Sequence, residues 1–275
     1  MAQAQGVYLA TKKDGTLYYR ASITYRKKHI SLGSFSSETL AAAAYQTASD
    51  LLASPEIAIE HYTNYSTPLD FTKWVTLINY RDNKIYIKTP IYLKKNYFLY
   101  YLSQTDILKF DVDDLFYYSH HKIMKRGGHL FVADYGMQVN ISSRYGIKNF
   151  AVCGRDYIFR NGDCRDYRYG NIEIINRYYG VHKKHHGLTY ETRIHINGDY
   201  IVGRYKTEVE AAIAYNKAVL LLKEKNFKKE FPMNYIDNMS PIDYASIMNR
   251  VRISEKIRSF VNETNINKSK PEIDA

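Results

Sequence analysis

Residues able to ionise, coordinate a metal or accept a proton are concentrated in three places. The first is a group of carboxylates, Asp111, Asp113 and Asp114. Carboxylates so close can hold a divalent cation, but a solvated turn is the commoner use of such a group and is the expected one. The second is the run Lys183, Lys184, His185, His186. Histidines adjacent on a strand point to opposite faces and rarely converge on one ion. A basic strand end or turn lying near phosphate is the expectation there. The third place is residues 119–176, which open SHHKIMKRGG and end YIFRNGDCRDYRYGNIEIIN. His120, His121 and His129 lie in it, and imidazole is the side chain best suited to take a proton near neutral pH. The two cysteines, Cys153 and Cys164, form no CxxC pair, so neither a disulfide framework nor a Cys-based zinc site is supported.

These residues are held by elements that the chain writes twice. Gly203 to Tyr215 reads GRYKTEVEAAIAY, and Gly33 to Tyr45 reads GSFSSETLAAAAY. In both, a Gly is followed by an aromatic, a hydroxyl residue, a Glu and a closing Tyr at the same offsets. Ser37 and Thr207 are suited to cap a helix N-terminus. Glu38 and Glu208 fall in the first turn, where the helix dipole favours negative charge. Ala41, Ala42 and Ala211, Ala212 let the helix lie close on a sheet. Upstream of each junction the chain alternates with the period of strands. In the first copy strands are expected near Gly6–Lys12, Leu17–Arg26 and His29–Phe35, with Asp14-Gly15 as a turn. In the second they are expected near Arg177–Lys184, Thr189–Ile196 and Asp199–Tyr205, with Asn197-Gly198 as the turn. A helix from about Glu208 to Lys225 follows, its apolar face built on Val209, Ala212, Ile213, Val219 and Leu220.

In the first copy's second strand, Tyr19, Ala21, Ile23 and Tyr25 share the face suited to the helix. Arg20, Ser22, Thr24 and Arg26 share the other, a polar and basic face. In the second copy Tyr190, Thr192 and Ile194 alternate with Glu191, Arg193 and His195.

The fold class expected is α+β: two modules, each a three-stranded antiparallel sheet plus a helix, flanking a β-rich centre. The modules take residues 1–54 and 177–237. Between them lie a linker and Tyr-rich β region at 55–118 and the chemistry-bearing segment at 119–176. Two short helices are expected within 238–262, starting at Pro241 and near Ser254, and a disordered tail at 263–275.

Composition narrows the partner. The 275 residues carry 39 Lys+Arg against 28 Asp+Glu, a net charge of +11, which points to a polyanion, most simply nucleic acid. Tyr is abundant, at 28 residues, and suits both strands and nucleic-acid surfaces. No apolar run long enough for a membrane span exists, and MAQAQGVYLATKK lacks the apolar core of a signal peptide. A cytoplasmic location without membrane partners is therefore expected.

The openings Gly6-Val7 and Gly180-Val181, with the junctions LGSFSSETLAAAAY and VGRYKTEVEAAIAY, resemble the plant ethylene-response-factor (ERF, or APETALA-two) type of DNA-binding domain. The resemblance covers about 50 residues at each end. It implies a sheet whose outer face reads the major groove while the helix packs behind. By position, that face takes Tyr8, Arg20, Ser22, Thr24, Arg26 and His29 in the first copy. In the second it takes His182, Lys183, Lys184, Arg193 and His195. Most of the Arg and Trp residues of the plant strands are replaced here by Tyr, Lys, His or Ser, so the plant target sequence does not carry over. On this reading Arg193→Ala is expected to weaken DNA binding about tenfold or more.

Residues 158–172, IFRNGDCRDYRYGNI, resemble the homing HNH nuclease pattern DHINGNxxDNRxxNL. Asn161-Gly162, Asp166, Arg168 and Asn171 sit at matching offsets, and HHKIM (His120 to Met124) resembles the segment that precedes that pattern. HNH chemistry needs a histidine base and a divalent metal. In the register set by Asn161-Gly162, the base position is Phe159 and its acidic neighbour Ile158. Two residues back, Asp156 and Tyr157 occupy them. Neither register supplies an imidazole, so a degenerate ββα segment without catalytic residues, metal or cofactor is expected. His120, His121, Asn161, Asp166 and Asn171 would be its remnant.

Three functions stay open. One is a non-enzymatic double-stranded DNA binder, a nucleoid-associated transcription regulator from a bacterium, bacteriophage or other mobile element. The second is an HNH-type homing or nicking endonuclease with a rearranged site. The third is a mobile-element factor that binds and inhibits a host nucleoprotein complex.

Overall fold

In the first repeat, alternation and capping act as the spacing predicts. The computed structural model describes residues 4–184, 188–227 and 229–260. In it β1 (Val7–Thr11), β2 (Leu17–Tyr25) and β3 (Lys28–Phe35) form an antiparallel meander. The Asp14 carboxylate accepts from the Thr16 N–H at 3.0 Å and closes the first turn. Helix α1 (Glu38–Ala53) begins where the Ser37 hydroxyl accepts from the Leu40 N–H at 3.2 Å. Ala41, Ala44 and Ala48 turn to the sheet and meet Val7, Ala21, Ile23, Ile30 and Leu32 in one core.

Residues 55–69, at the start of the stretch expected as linker and Tyr-rich β region, join that core. A 3-10 turn, Ile59–Asn64, interrupts them, and Ile57, Ile59 and Leu69 are buried. Three apolar side chains outweigh the polar setting once there is a surface to cover. The stretch after it, expected to be strand-rich, opens instead as helix α2 (Phe71–Asn83), capped by Asp70. Its aromatic and β-branched residues have weak helix propensity, but burial of Trp74, Val75, Leu77 and Ile78 decides the matter. Buried Arg81 donates to the carbonyls of Leu51, Ser54 and Ile57 at 2.7–3.0 Å, satisfying acceptors at the end of α1.

Strands follow. β4 (Ile91–Leu93), β5 (Tyr97–Tyr101) and β6 (Ile107–Asp111) form one antiparallel sheet. After helix α3 (Leu115–His120), β7 (Ile123–Arg126), β8 (His129–Asp134) and β9 (Met137–Asn140) form another. The carboxylate group at 111–114 is not uniformly a solvated turn. Asp114 is buried and accepts from Arg144 and from the Tyr145 hydroxyl, each at 2.7 Å. β10 (Tyr157–Phe159) and β11 (Ile172–Ile174) pair as a two-stranded sheet. Among the described residues no α-helix lies between His120 and Glu208, so the expected ββα segment lacks its helix. A 3-10 turn, Tyr169–Asn171, leads directly into β11.

The second repeat is β12 (Val181–Lys183), β13 (Tyr190–His195), β14 (Asp199–Tyr205) and α4 (Glu208–Glu224), capped by Thr207. Ala212, Ile213 and Val219 are buried on α4, whereas Leu220, expected beside them, is exposed. Its place is taken by Tyr215, Ala218 and Leu222. Helices α5 (Pro241–Arg250) and α6 (Glu255–Arg258) follow, and Val251, Ile253 and Ile257 close the core. His185, His186 and the 263–275 tail lie outside the described residues.

The two repeats share a joint that explains their glycines. Gly6 and Gly180 sit at φ +72° and +70°. A Cβ at Gly6 would lie 2.2 Å from the Tyr45 ring, and one at Gly180 would lie 2.6 Å from the Tyr215 ring. Their carbonyls accept from the Ser22 and Arg193 N–H groups at 2.9 and 2.7 Å. Each middle strand carries a register shift at this joint, between Ala21 and Ser22 and between Thr192 and Arg193. Gly at the strand start and Tyr at the helix middle are thus one packing contact, made twice.

The class is mixed α+β with several three-stranded antiparallel sheets. The chain forms two compact units. One comprises the residues up to Tyr145 together with Phe159–Ile172; the other comprises Gly146–Ile158 and the residues from Glu173. Among the described residues no helix is long and apolar enough to cross a membrane.

Candidate nucleic-acid interface

Register fixes which side chains share the outer face of each sheet, because residues opposite one another on neighbouring strands point the same way. In the first sheet Tyr8 faces Arg20 and Arg20 faces Ser34, while Thr24 faces His29. Tyr8, Arg20, Thr24, His29 and Ser34 are all exposed. The Arg20 guanidinium lies 5.6 Å from the centre of the Tyr18 ring on the same face. β1, β2 and β3 contain no Asp or Glu.

Two expected members of this face behave differently. Ser22 is buried at the joint, where its N–H donates to the Gly6 carbonyl. Arg26 is not in a strand at all. It forms with Lys27 the two-residue turn between β2 and β3, at φ 45° and 64°. Such turns favour Asn and Gly, and two long basic residues there hold strained backbone while projecting positive charge from the sheet tip. Arg26 and Lys27 are both exposed.

The second sheet uses the same lattice with different charges. His182 faces Glu191, Glu191 faces Arg204, and His195 faces Asp199. Glu191 is 1% exposed, and it gathers three cations. Lys184 and Arg193 reach one carboxylate oxygen at 2.9 and 2.8 Å, and Arg204 reaches the other at 3.0 Å. Burial alone would push this carboxyl up, but Lys184, Arg193 and Arg204 outweigh it and hold it at about 2. Arg193, expected as a free base-reading side chain, is therefore already engaged. The sequence placed Glu191 beside Arg193 on this face, but the convergence of three cations on it is set by the strand register. His195 pairs with Asp199 at 2.8 Å. His182 is pushed down by burial and by the neighbouring Arg155 charge, which favours its neutral form.

The nuclease-like residues are brought together in part. Asn161 donates to the Asp166 carboxylate at 3.0 Å, and Asn171 donates to the Asp166 carbonyl at 2.7 Å. The Asn171 side-chain oxygen accepts the Asn161 N–H at 2.9 Å. Asp166 is fully buried and paired with Arg168 at 2.7 Å. Burial would raise its carboxyl, but the Arg168 hydrogen bonds outweigh that and lower it. The trio thus spends its polar atoms on holding the β10–β11 loop.

His120 and His121 are elsewhere occupied at the end of α3. His120 Nδ1 lies 2.9 Å from the Phe116 carbonyl, and His121 Nδ1 lies 2.9 Å from the Tyr117 carbonyl. His121 also stacks on Tyr117 and faces Asp134 at 3.6 Å. Among the described residues no group of three or more His, Cys, Asp or Glu side chains is arranged to hold a metal ion.

No family model matches the sequence, no curated protein matches it, and no solved structure matches it.

Proposed function

We propose that this chain is a non-enzymatic double-stranded DNA-binding protein whose first sheet lies in the major groove. The observation that carries the reading is the outer face of β1-β2-β3, with Tyr8, Arg20, Thr24 and His29 exposed and no carboxylate on any strand. A groove walled by phosphates repels carboxylates and holds cations, and a small sheet has the width to enter it. Arg26 and Lys27 at the sheet tip would meet backbone phosphate, while Arg20, stacked by Tyr18, would meet base edges. The net charge of +11 and the resemblance of both junctions to ERF-type domains support the same reading. The second sheet would add a weaker contact in the same chain, raising affinity through effective concentration. The HNH-like segment then serves as structure without chemistry, since its Asn161, Asp166 and Asn171 are engaged with one another. The setting implied by the resemblance is regulation at the nucleoid of a bacterium or mobile element.

The test is incubation of the purified chain with a randomised duplex library, with and without magnesium, recovering bound and cleaved molecules. An enriched motif without cleavage is expected. Magnesium-dependent cut product would replace this reading with a nuclease. Binding with no sequence enrichment would reduce the sheet to general attraction and direct attention to a host protein partner.

A further inference from the structure

The outer face of the second sheet does not open freely. It forms one wall of a cleft of about 390 Å³, and residues 150–156, which are outside the sheet module, form the other. Every lining residue belongs to the second unit. The cleft is at the small end of the range of ligand sites, roughly 300–1,000 Å³, and far larger than one inorganic anion.

Its charge is unbalanced in one place. On the 150–156 wall, Arg155 and Asp156 neutralise each other at 2.7 Å. On the sheet wall, two lining cations, Lys184 and Arg193, converge on the one carboxylate of Glu191, an excess of one positive charge at that cluster, while Asp199 in the same lining pairs with His195 at 2.8 Å. Glu191 is 1% exposed, whereas Lys184 is 40% and Arg193 43% exposed. The carboxylate is therefore beneath, and the cations that it orders are turned to the cleft. Lys183 adds a further exposed cation to the lining. Cations preset by a buried carboxylate lose little freedom when an anion arrives.

Beside these cations the wall is aromatic. Phe150 and Tyr179 meet edge to face, with ring centres 5.0 Å apart, and both line the cleft. An aromatic surface next to ordered cations matches a planar base carrying a phosphate.

We propose that this cleft binds a single 5′-phosphorylated nucleotide, its phosphate on Arg193 and Lys184 and its base against Phe150 and Tyr179. The inference is independent of groove reading by the first sheet. The shared chemistry has two sources, a free nucleoside monophosphate or the 5′-phosphate end of a strand.

Calorimetric titration of the full chain tests it, with nucleoside 5′-monophosphates, the matching nucleosides, inorganic phosphate, and a short single strand with and without a 5′-phosphate. Saturable binding of a 5′-phosphorylated probe is expected, about tenfold or more tighter than its unphosphorylated partner. Binding of the monophosphate assigns the site to free nucleotide; binding of the 5′-phosphorylated strand alone assigns it to strand ends. Lys183→Glu leaves the Glu191 cluster intact and is expected to weaken binding about tenfold or more, with an unchanged melting temperature. Arg193→Ala should do the same if it folds, while Arg20→Glu should leave nucleotide affinity unchanged. Absence of saturable binding by every phosphorylated probe, or a Lys183→Glu protein that binds as well as the parent, overturns the proposal.

Discussion

β2 and β13 are the middle strands of the same construction. Each starts its module's joint opposite a left-handed Gly, each shifts register at the same point, and each lies over an Ala-lined helix. Yet at one lattice position the first carries Arg20, between Tyr8 and Ser34, and the second carries Glu191, between His182 and Arg204. The differences within a duplicated frame give one face a buried counterion that the other lacks. In the first sheet the cation is exposed on a carboxylate-free surface. In the second, the cations have a built-in counterion and face a cleft. The difference teaches that a repeated fold does not imply a repeated site.

The joint is what both modules share, so breaking it gives the largest expected effect. Gly6→Ala and Gly180→Ala should each destabilise their unit by about 3 kcal/mol, from left-handed backbone plus a steric clash. Chemical denaturation of the two variants checks this. Very different losses would show that the two joints are not equivalent.

The charge at the shared lattice position comes next. Glu191 has its folded value near 2 against an ordinary value of 4.5. A depressed carboxyl contributes stability that is fully present above its unfolded value and is lost as pH falls through the folded value. Melts of the parent between pH 6 and 2 should therefore show an acid limb worth on the order of 2 kcal/mol that Glu191→Gln lacks. An identical acid limb in both proteins would mean that the carboxylate is not the anchor of the cluster.

On the first sheet, Arg20→Glu places there the charge that the second sheet already has. Duplex affinity should fall by about tenfold or more at moderate salt, measured by fluorescence anisotropy. Full retention would remove the first sheet from the interface. The smallest expected effect is on the other side: Arg193→Ala should change duplex affinity by less than about threefold, because that guanidinium lines a cleft walled by residues 150–156 and not an open sheet face. This replaces the tenfold loss expected from the sequence pattern. A larger loss would restore the second sheet as a groove reader and erase the contrast between the modules.

Local patterns were legible in the sequence where physics is local. Hydroxyl caps at Ser37 and Thr207, Asp-Gly and Asn-Gly turns, and period-two alternation placed six strands and two helices to within a few residues. α2 was not legible, since FTKWVTLINY reads as strand by propensity and becomes helix only through burial of Trp74 and its neighbours. The burial of Ser22 was hidden too, because alternation does not record the close approach of the Gly6 segment to its backbone. The nuclease-like offsets do not say whether Asn161, Asp166 and Asn171 face a substrate or each other, and the structure turns them on each other.

By itself, then, the sequence determined the duplicated sheet-and-helix frame and its basic excess, because capping, alternation and charge are properties of neighbouring residues. Only the tertiary structure decided which cations stand free. That depends on what lies opposite each one, and Glu191 reaches Lys184, Arg193 and Arg204 across three strands and the turn between them. The 150–156 segment closes the same face by a contact that no local pattern in the chain records.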